Sequence, residues 1–390
     1  MNVYADNAAT TKMCKAASQE MLLAMERTFG NPSSLHAEGQ DAAVVLRGAR
    51  ERIAARLGCQ ADEIVFTSGG SESDNQALFS AARLGAESGK RHIVTTAFEH
   101  HAILHTLEAL KAEGFEVTLL DVHGEGIVTP EGVQAALRPD TCLVTIMYAN
   151  NEIGAIQPIS EIGRICQEAG VLFHTDAVQA VGQLPIHVGT QNIDMLSLSA
   201  HKFHGPKGTG ALYVKKGVPL QRLIHGGAQE RGKRAGTENI PAIVGMAAAL
   251  EESCNRMAET TARVTELRNR LIDGLSEIPY SRLNGALSPR LPNNVNFSFE
   301  GIEGESLVLL LDRMGIRAST GSACNSGSMA PSHVLLALGH PPELAHGSLR
   351  LTLCGENTET EIDYLISTVR TAVAELRRKS ENRALLHFMK

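Results

Sequence analysis

The sequence predicts an α/β protein with a mostly parallel central sheet, followed by a smaller α+β region. Three observations point there. Between about residues 60 and 215, short apolar runs alternate with helical patterns. After Pro241, apolar residues recur at spacings of three and four as far as Leu275. Beyond residue 290, two runs alternate between apolar and polar side chains. Strands separated by helices give parallel sheets covered on both faces.

In chain order, Ile64–Ser68 reads as a strand, with a helix from about Glu72. His92–Ala97 is the next strand, with a helix over Ala102–Lys111. Val117–Asp121, Leu143–Ala149, Val171–Asp176, Met195–Ser199 and Gly210–Val214 complete the strand set. The stripe Ile243, Ala247, Leu250, Val264, Leu267, Leu271 and Leu275 predicts one long helix able to carry the chain between two domains. Val295, Phe297 and Phe299 alternate as in a half-buried strand. So do Leu349, Leu351 and Leu353, which put Arg350 on the opposite face. Thr358 and Glu361 form a capping box for a helix buried through Ile362, Leu365, Val369 and Val373. The expected division is a large domain over 15–256 and a small domain combining 1–14 with 257–390.

Composition narrows the function. The chain has 390 residues, 43% hydrophobic and 20% charged, with a net charge of −7. A mildly acidic chain lacks the clustered positive charge that nucleic-acid binding needs. No apolar run reaches the roughly 18 residues of a membrane span. The N-terminus lacks a basic and apolar leader, so the expected location is cytoplasmic. The cysteines are Cys14, Cys59, Cys142, Cys166, Cys254, Cys324 and Cys354. An odd count without a C-x-x-C pair argues against a disulfide framework or structural zinc.

The polar clusters follow predicted strands, where ligands bind in open α/β sheets. Gly69–Gly70–Ser71–Glu72–Ser73 opens a helix and suits a phosphate, although a plain N-capped turn reads the same way. Asp176 ends a strand, with Gln179 one turn later; an N-cap is the alternative. Ser199–Ala200–His201–Lys202 leads into a Gly205–Gly208 turn, where a lone lysine is usually surface charge. Together a phosphate cradle, an aspartate and a lysine are the toolkit for pyridoxal phosphate: the lysine forms the Schiff base, the aspartate pairs with the pyridinium nitrogen, and the turn holds the phosphate. His100 and His101 fit equally well on spacing. Arg350 suits a carboxylate but also reads as an edge-strand arginine. Cys324 lies in a Gly/Ser run without packing periodicity, as a reactive thiol would.

The segments ADNAATT, FGNPSS, FTSGGSESDN, FEHHA, NNEIG, HTDAVQAVG, SAHKFHGPKG, ERGKRAGTEN and STGSACNSG, in order from Tyr4 to about Asp363, resemble those of the NifS/IscS-type cysteine desulfurases. The resemblance implies the aspartate-aminotransferase-like architecture of fold-type I pyridoxal-phosphate enzymes. It implies that Lys202 carries the cofactor, Asp176 faces the pyridine nitrogen and Gln179 faces the phenolic oxygen. Gly70, Ser71, Ser199 and His201 would hold the phosphate, with Thr237 reaching that of the other subunit of a homodimer. His100 would stack on the ring and move protons, with Asn151 also beside the cofactor. Asn151 and Arg350 would receive the substrate carboxylate. Cys324 would take sulfur from L-cysteine as a persulfide, leaving L-alanine, and pass it to an iron–sulfur scaffold protein or another acceptor. No permanent metal is implied; the Cys324 persulfide could share a 2Fe–2S cluster transiently with the scaffold.

Ser71 stands where many relatives have threonine, and Asn325, Met329 and Ala330 also depart from the pattern. The alternatives are a selenocysteine lyase or sulfinate desulfinase, an aminotransferase of the same fold, and a catalytically idle partner protein.

Overall fold

The structure, a computed structural model, describes residues 1–122, 124–321 and 330–388, with side chains through 379. The sheet strands are β1 (Val3–Tyr4), β2 (Ile64–Thr67), β3 (His92–Thr96), β4 (Glu116–Leu120), β5 (Thr141–Thr145), β6 (Leu172–Asp176), β7 (Met195–Ser199), β8 (Gly210–Val214), β9 (Ser281–Leu283), β10 (Asn294–Phe299), β11 (Ile316–Arg317) and β12 (Ser348–Thr352). Among the described residues the largest sheet has the order β2-β8-β7-β6-β5-β3-β4. Only β8 runs against its neighbours there. The carboxyl ends of β2, β3, β5, β6 and β7 therefore open on one side of the sheet, so the loops that follow them meet.

Helices cover both faces. In chain order they begin with α1 (Lys15–Arg27), α2 (Ala37–Leu57), α3 (Gly70–Glu87), α4 (His101–Ala112), α5 (Pro130–Ala136), α6 (Ile159–Ala169) and α7 (Ile240–Asn255). On one face α3 buries Ala77, Leu78, Ala81 and Ala82, and α4 buries Ile103, Leu107 and Leu110, against Ile93, Leu143 and Leu212. Their three- and four-residue spacing makes each helix one apolar stripe. On the other face lie Ile53 of α2, Ile162 of α6 and Leu250 of α7.

The chain continues through α8 (Met257–Ser276), α9 (Gly304–Arg313), α10 (His333–Ala337), α11 (Pro342–His346) and α12 (Glu359–Phe388). A separate core joins Val264 and Leu271 of α8, Phe297 of β10, Leu351 of β12 and Val369 of α12. Val3 and Ala5 of the N-terminal segment belong to this core, because β1 pairs with β11 in parallel. Val334, Leu335 and Ala345 join the larger core instead. The capping box forms reciprocally: Thr358 N donates to Glu361 Oε2 at 2.9 Å, and Glu361 N to Thr358 Oγ1 at 3.3 Å.

Two local expectations need correction. The single long helix is two, broken at Arg256 (φ −100°, ψ 2°). Ile243 and Leu250 serve the large core and Val264 and Leu271 the small one, and a straight helix cannot aim one stripe at both. A cavity of about 210 Å³ opens beside this break, lined by Cys14, Phe203, Met257 and Cys354 among others. The second correction concerns β10 and β12, which are buried throughout rather than on one face. Their polar face packs against the loop after β5: Asn296 Nδ2 donates to Glu152 O at 2.9 Å.

Candidate active site

The first group of side chains collects where β2 gives way to α3. Gly69, at φ +154°, turns the chain, a conformation that favours glycine. Gly70 and the neighbouring Gly210 have no room for a side chain. A Cβ on Gly210 would lie 2.7 Å from Gly69 Cα, and one on Gly70 would lie 2.7 Å from Val178 Cγ2. Thr67 Oγ1 and Ser73 Oγ pin the turn at 2.8 Å. Glu72 is held by Ser68 N at 2.8 Å and by Arg234 at 2.9 Å. The first-turn N–H groups of α3, with exposed Ser71 among them, lack intrahelical acceptors. Ser199 Oγ stands 3.6 Å from where a Gly69 Cβ would be.

Asp176 ends β6 and is buried. Val178 N donates to its Oδ1 at 2.9 Å. Burial pushes this carboxyl up to about 6, against the pull of that N–H and of Lys202. Lys202 ends a short 3-10 turn over Ala200–Lys202. Its Nζ donates to Ala8 O at 2.5 Å and Ala9 O at 2.9 Å. Gln179 Nε2 donates to the same Ala8 carbonyl at 3.0 Å. His201 Nδ1 lies 3.2 Å from Thr10 Oγ1, and burial beside Lys202 lowers its imidazole to about 4. The N-terminal segment thus lies across the lysine.

His100 and His101 separate cleanly. His100 caps α4, its Nδ1 accepting from Ala102 N at 3.1 Å. A ring nitrogen of His100 lies within 4.8 Å of carboxylate oxygens of Asp74 and Asp176. Burial, then the charge of Lys202, lower it to about 4, so it is neutral near pH 7. His101 turns away, its ring 4.5 Å from that of His333 and 5.1 Å from that of His105.

Arg350 is almost wholly buried. Nη2 donates to Asp6 Oδ1 at 3.0 Å and Nη1 to Asn151 O at 3.3 Å, whereas Nε is buried without a partner. Its main chain pairs with Ser319, Arg350 N donating to Ser319 O at 2.7 Å. Cys324 lies outside the described residues, as do Asn325 and Met329. The described chain on either side reaches this region: Ser332 Oγ donates to Glu152 Oε2 at 2.5 Å. Thr237 is exposed in the loop before α7, so its predicted role depends on a second subunit.

Several buried acids were not singled out from the sequence. Glu99, raised by burial to about 8, accepts from Thr96 Oγ1 at 2.7 Å and from Met147 N. Glu152 is raised to about 7 for the same reason. Asp74 stands behind Asp176, and its Oδ1 has no hydrogen-bond partner. The signal available was their place inside the strand-end motifs; their burial depends on neighbours distant in sequence.

The donor set suits pyridoxal phosphate. The crowded glycine turn at a helix N-terminus accommodates a phosphate, the buried carboxylate a pyridinium, and the adjacent amine a carbonyl carbon.

The model of the aminotransferase class-V family matches residues 3–365. A cysteine desulfurase IscS of Methanosarcina thermophila is 53% identical over 378 residues, 97% of this chain and 93% of that protein. A solved NifS-like protein superposes with a TM-score of 0.91 at 40% identity, covering 96% of this chain and 100% of the other. A solved complex of SspA with cysteine gives 0.80 at 38% identity, covering 91% and 99%. With the glycine turn, Asp176 and Lys202 gathered at one edge of the sheet, the chain belongs to the aminotransferase class-V family, among its NifS/IscS-type cysteine desulfurases.

Proposed function

We propose that this protein is a pyridoxal-phosphate-dependent cysteine desulfurase that converts L-cysteine to L-alanine and collects the sulfur on Cys324. The observation that carries the reading is the convergence of Lys202, Asp176 and the first turn of α3, with Arg350 backbone-paired to Ser319 just ahead of Cys324. Bound pyridoxal phosphate supplies an electron sink at the substrate α-carbon.

The chain's own groups do the rest. The α3 turn, Ser199 and His201 would hold the cofactor's phosphate, and Asp176 would pair with its ring nitrogen. The Ala8 and Ala9 carbonyls hold the Lys202 amine in place, and the amine, once neutral, takes the α-proton. His100 accepts at Nδ1, so its neutral ring carries the proton on Nε2 and donates from there. Arg350 and Asn151 orient the substrate carboxylate. The Cys324 thiolate attacks the substrate sulfur. A sulfur–sulfur bond forms, the carbon–sulfur bond breaks, and its electron pair stays with the carbon that is then protonated to alanine.

The sulfur passes to an iron–sulfur scaffold or another acceptor. A homodimer is supported by Leu22, Met25, Phe29, Leu35 and Val44, all exposed on or beside α1 and α2. A division into a large and a small domain is supported by the separate core that Val3, Val264, Phe297, Leu351 and Val369 share. Among the described residues the free thiols include buried Cys142 and Cys166, which suits a reducing cytoplasm. No described helix is long and apolar enough to cross a membrane.

The test is incubation of purified protein with L-cysteine, measuring alanine and sulfide with and without reductant. One alanine per sulfur, with one sulfur added to the Cys324 peptide, is expected. Pyruvate formation without alanine would assign a different reaction.

A further inference from the structure

Behind Asp176 lies a second carboxyl with no place in the scheme above. Asp74 projects from the second turn of α3 and is 1% exposed. Its surroundings come from every element packed there. Asp176 and His174 face it from β6, Ser197 from β7, and Glu99 and His100 from the loop after β3. None of these is a cation near pH 7. His174 is fully buried, its Nδ1 2.9 Å from Thr145 Oγ1 and its Nε2 3.0 Å from Ser197 Oγ, and burial drops it to about 3. His174 Nε2 is 3.7 Å from Asp74 Oδ1, beyond a hydrogen bond, and that oxygen has no partner. Lys202 acts on Asp176 and His100 from the open side of the site.

We propose that Asp74 is a positioning residue that stays a neutral carboxylic acid behind Asp176, so that Asp176 alone carries the negative charge offered to the pyridine ring. The reasoning is electrostatic. Two carboxylates with oxygens within 4.8 Å of each other, both buried and sharing no cation, cannot both ionise. Asp176 has Lys202 and the Val178 N–H to favour its charge. Asp74 has the Ser197 hydroxyl alone, set against burial and two neighbouring acids, and its Oδ1 has no hydrogen-bond partner, so its neutral form is favoured. The proton therefore rests on Asp74. A charged Asp74 would force a proton onto Asp176 and remove its hold on a pyridinium.

This inference rests on the reading of Asp176 as the cofactor-facing acid, and its test separates the two. Holoenzyme labelled with carboxyl-¹³C aspartate should show, at pH 8, an infrared band of a protonated carboxylic acid. That band should vanish in Asp74→Asn, while the visible absorbance of the bound cofactor persists. Absence of the band in wild-type protein overturns the proposal and needs no variant. Loss of cofactor from Asp74→Asn, with Asp74→Glu retaining it, overturns it too, because then charge is required. Asp176→Asn that keeps full cofactor binding would instead sink the assignment of Asp176, leaving the band at Asp74 to be judged alone.

Discussion

Replacing Arg350 with lysine keeps a positive charge in the same buried place and removes the planar fork. The guanidinium makes one charge-assisted bond at 3.0 Å to Asp6 and one at 3.3 Å to Asn151 O, and its Nε has no protein partner. An ammonium on a flexible stem can hold Asp6 or a substrate carboxylate, but it cannot present two parallel donors to that carboxylate. The loss is one hydrogen bond between charged groups, about 1–3 kcal/mol. That corresponds to a fall in kcat/KM of about 5- to 150-fold. The assay is alanine release across a range of cysteine concentrations. Visible absorbance should show the cofactor still bound, since Arg350 touches neither Asp176 nor the α3 turn. An unchanged kcat/KM would place the substrate carboxylate elsewhere. A lowered melting temperature with intact kinetics would make Arg350 a folding residue tied to Asp6.

Cys324→Ala should retain the cofactor absorbance and lose alanine and sulfide production, with no added sulfur found by mass spectrometry on any other cysteine peptide. Gly210→Ala should cost about 1–3 kcal/mol in chemical denaturation, since its Cβ would fall 2.5 Å from Leu198 O and 2.7 Å from Gly69 Cα, both backbone atoms. It should also weaken cofactor retention by displacing the phosphate turn. Glu99→Gln tests the burial of that acid. Its folded value of about 8 lies above the ordinary 4.5, so the native state holds a proton that the unfolded state releases. Wild-type stability therefore falls as pH rises from about 4.5 towards 8. The glutamine variant should gain on wild type across that window in melting temperature, and a gap that narrows with rising pH would mean that Glu99 is ionised.

The strands of the large sheet were legible because each is a short apolar run ending in polar residues. Lys202, Asp176 and Ser199 were legible as the polar residues at those ends. Choosing between His100 and His101 needed coordinates, because only the cap on Ala102 N decides which ring turns inward. Alternation in β10 and β12 was read as exposure of one face. It marks two chemically different buried faces, since Asn296 and Arg350 meet the loop after β5 rather than water. The break at Arg256 was hidden because no proline or glycine marks it and the apolar stripe continues on both sides. Asp74 and Glu99 lie unremarked inside the strand-end segments; what buries them arrives from β5, β6 and β7.

The strand β1 pairs with β11, and the segment after it lays the Ala8 and Ala9 carbonyls on Lys202. Asp6 also waits for Arg350, and Asn7 Nδ2 donates to Thr352 O at 2.8 Å. These residues therefore have partners more than three hundred positions further along the chain. Loop closure over more than three hundred residues is slow, and topologies rich in such contacts fold late. The sheet can assemble during synthesis, but the nascent chain cannot close its catalytic centre until β12 has emerged. A ribosome-stalled chain ending before residue 348 should bear a folded sheet with Lys202 uncovered, a species whose amine is open to acylating reagents that the finished protein resists.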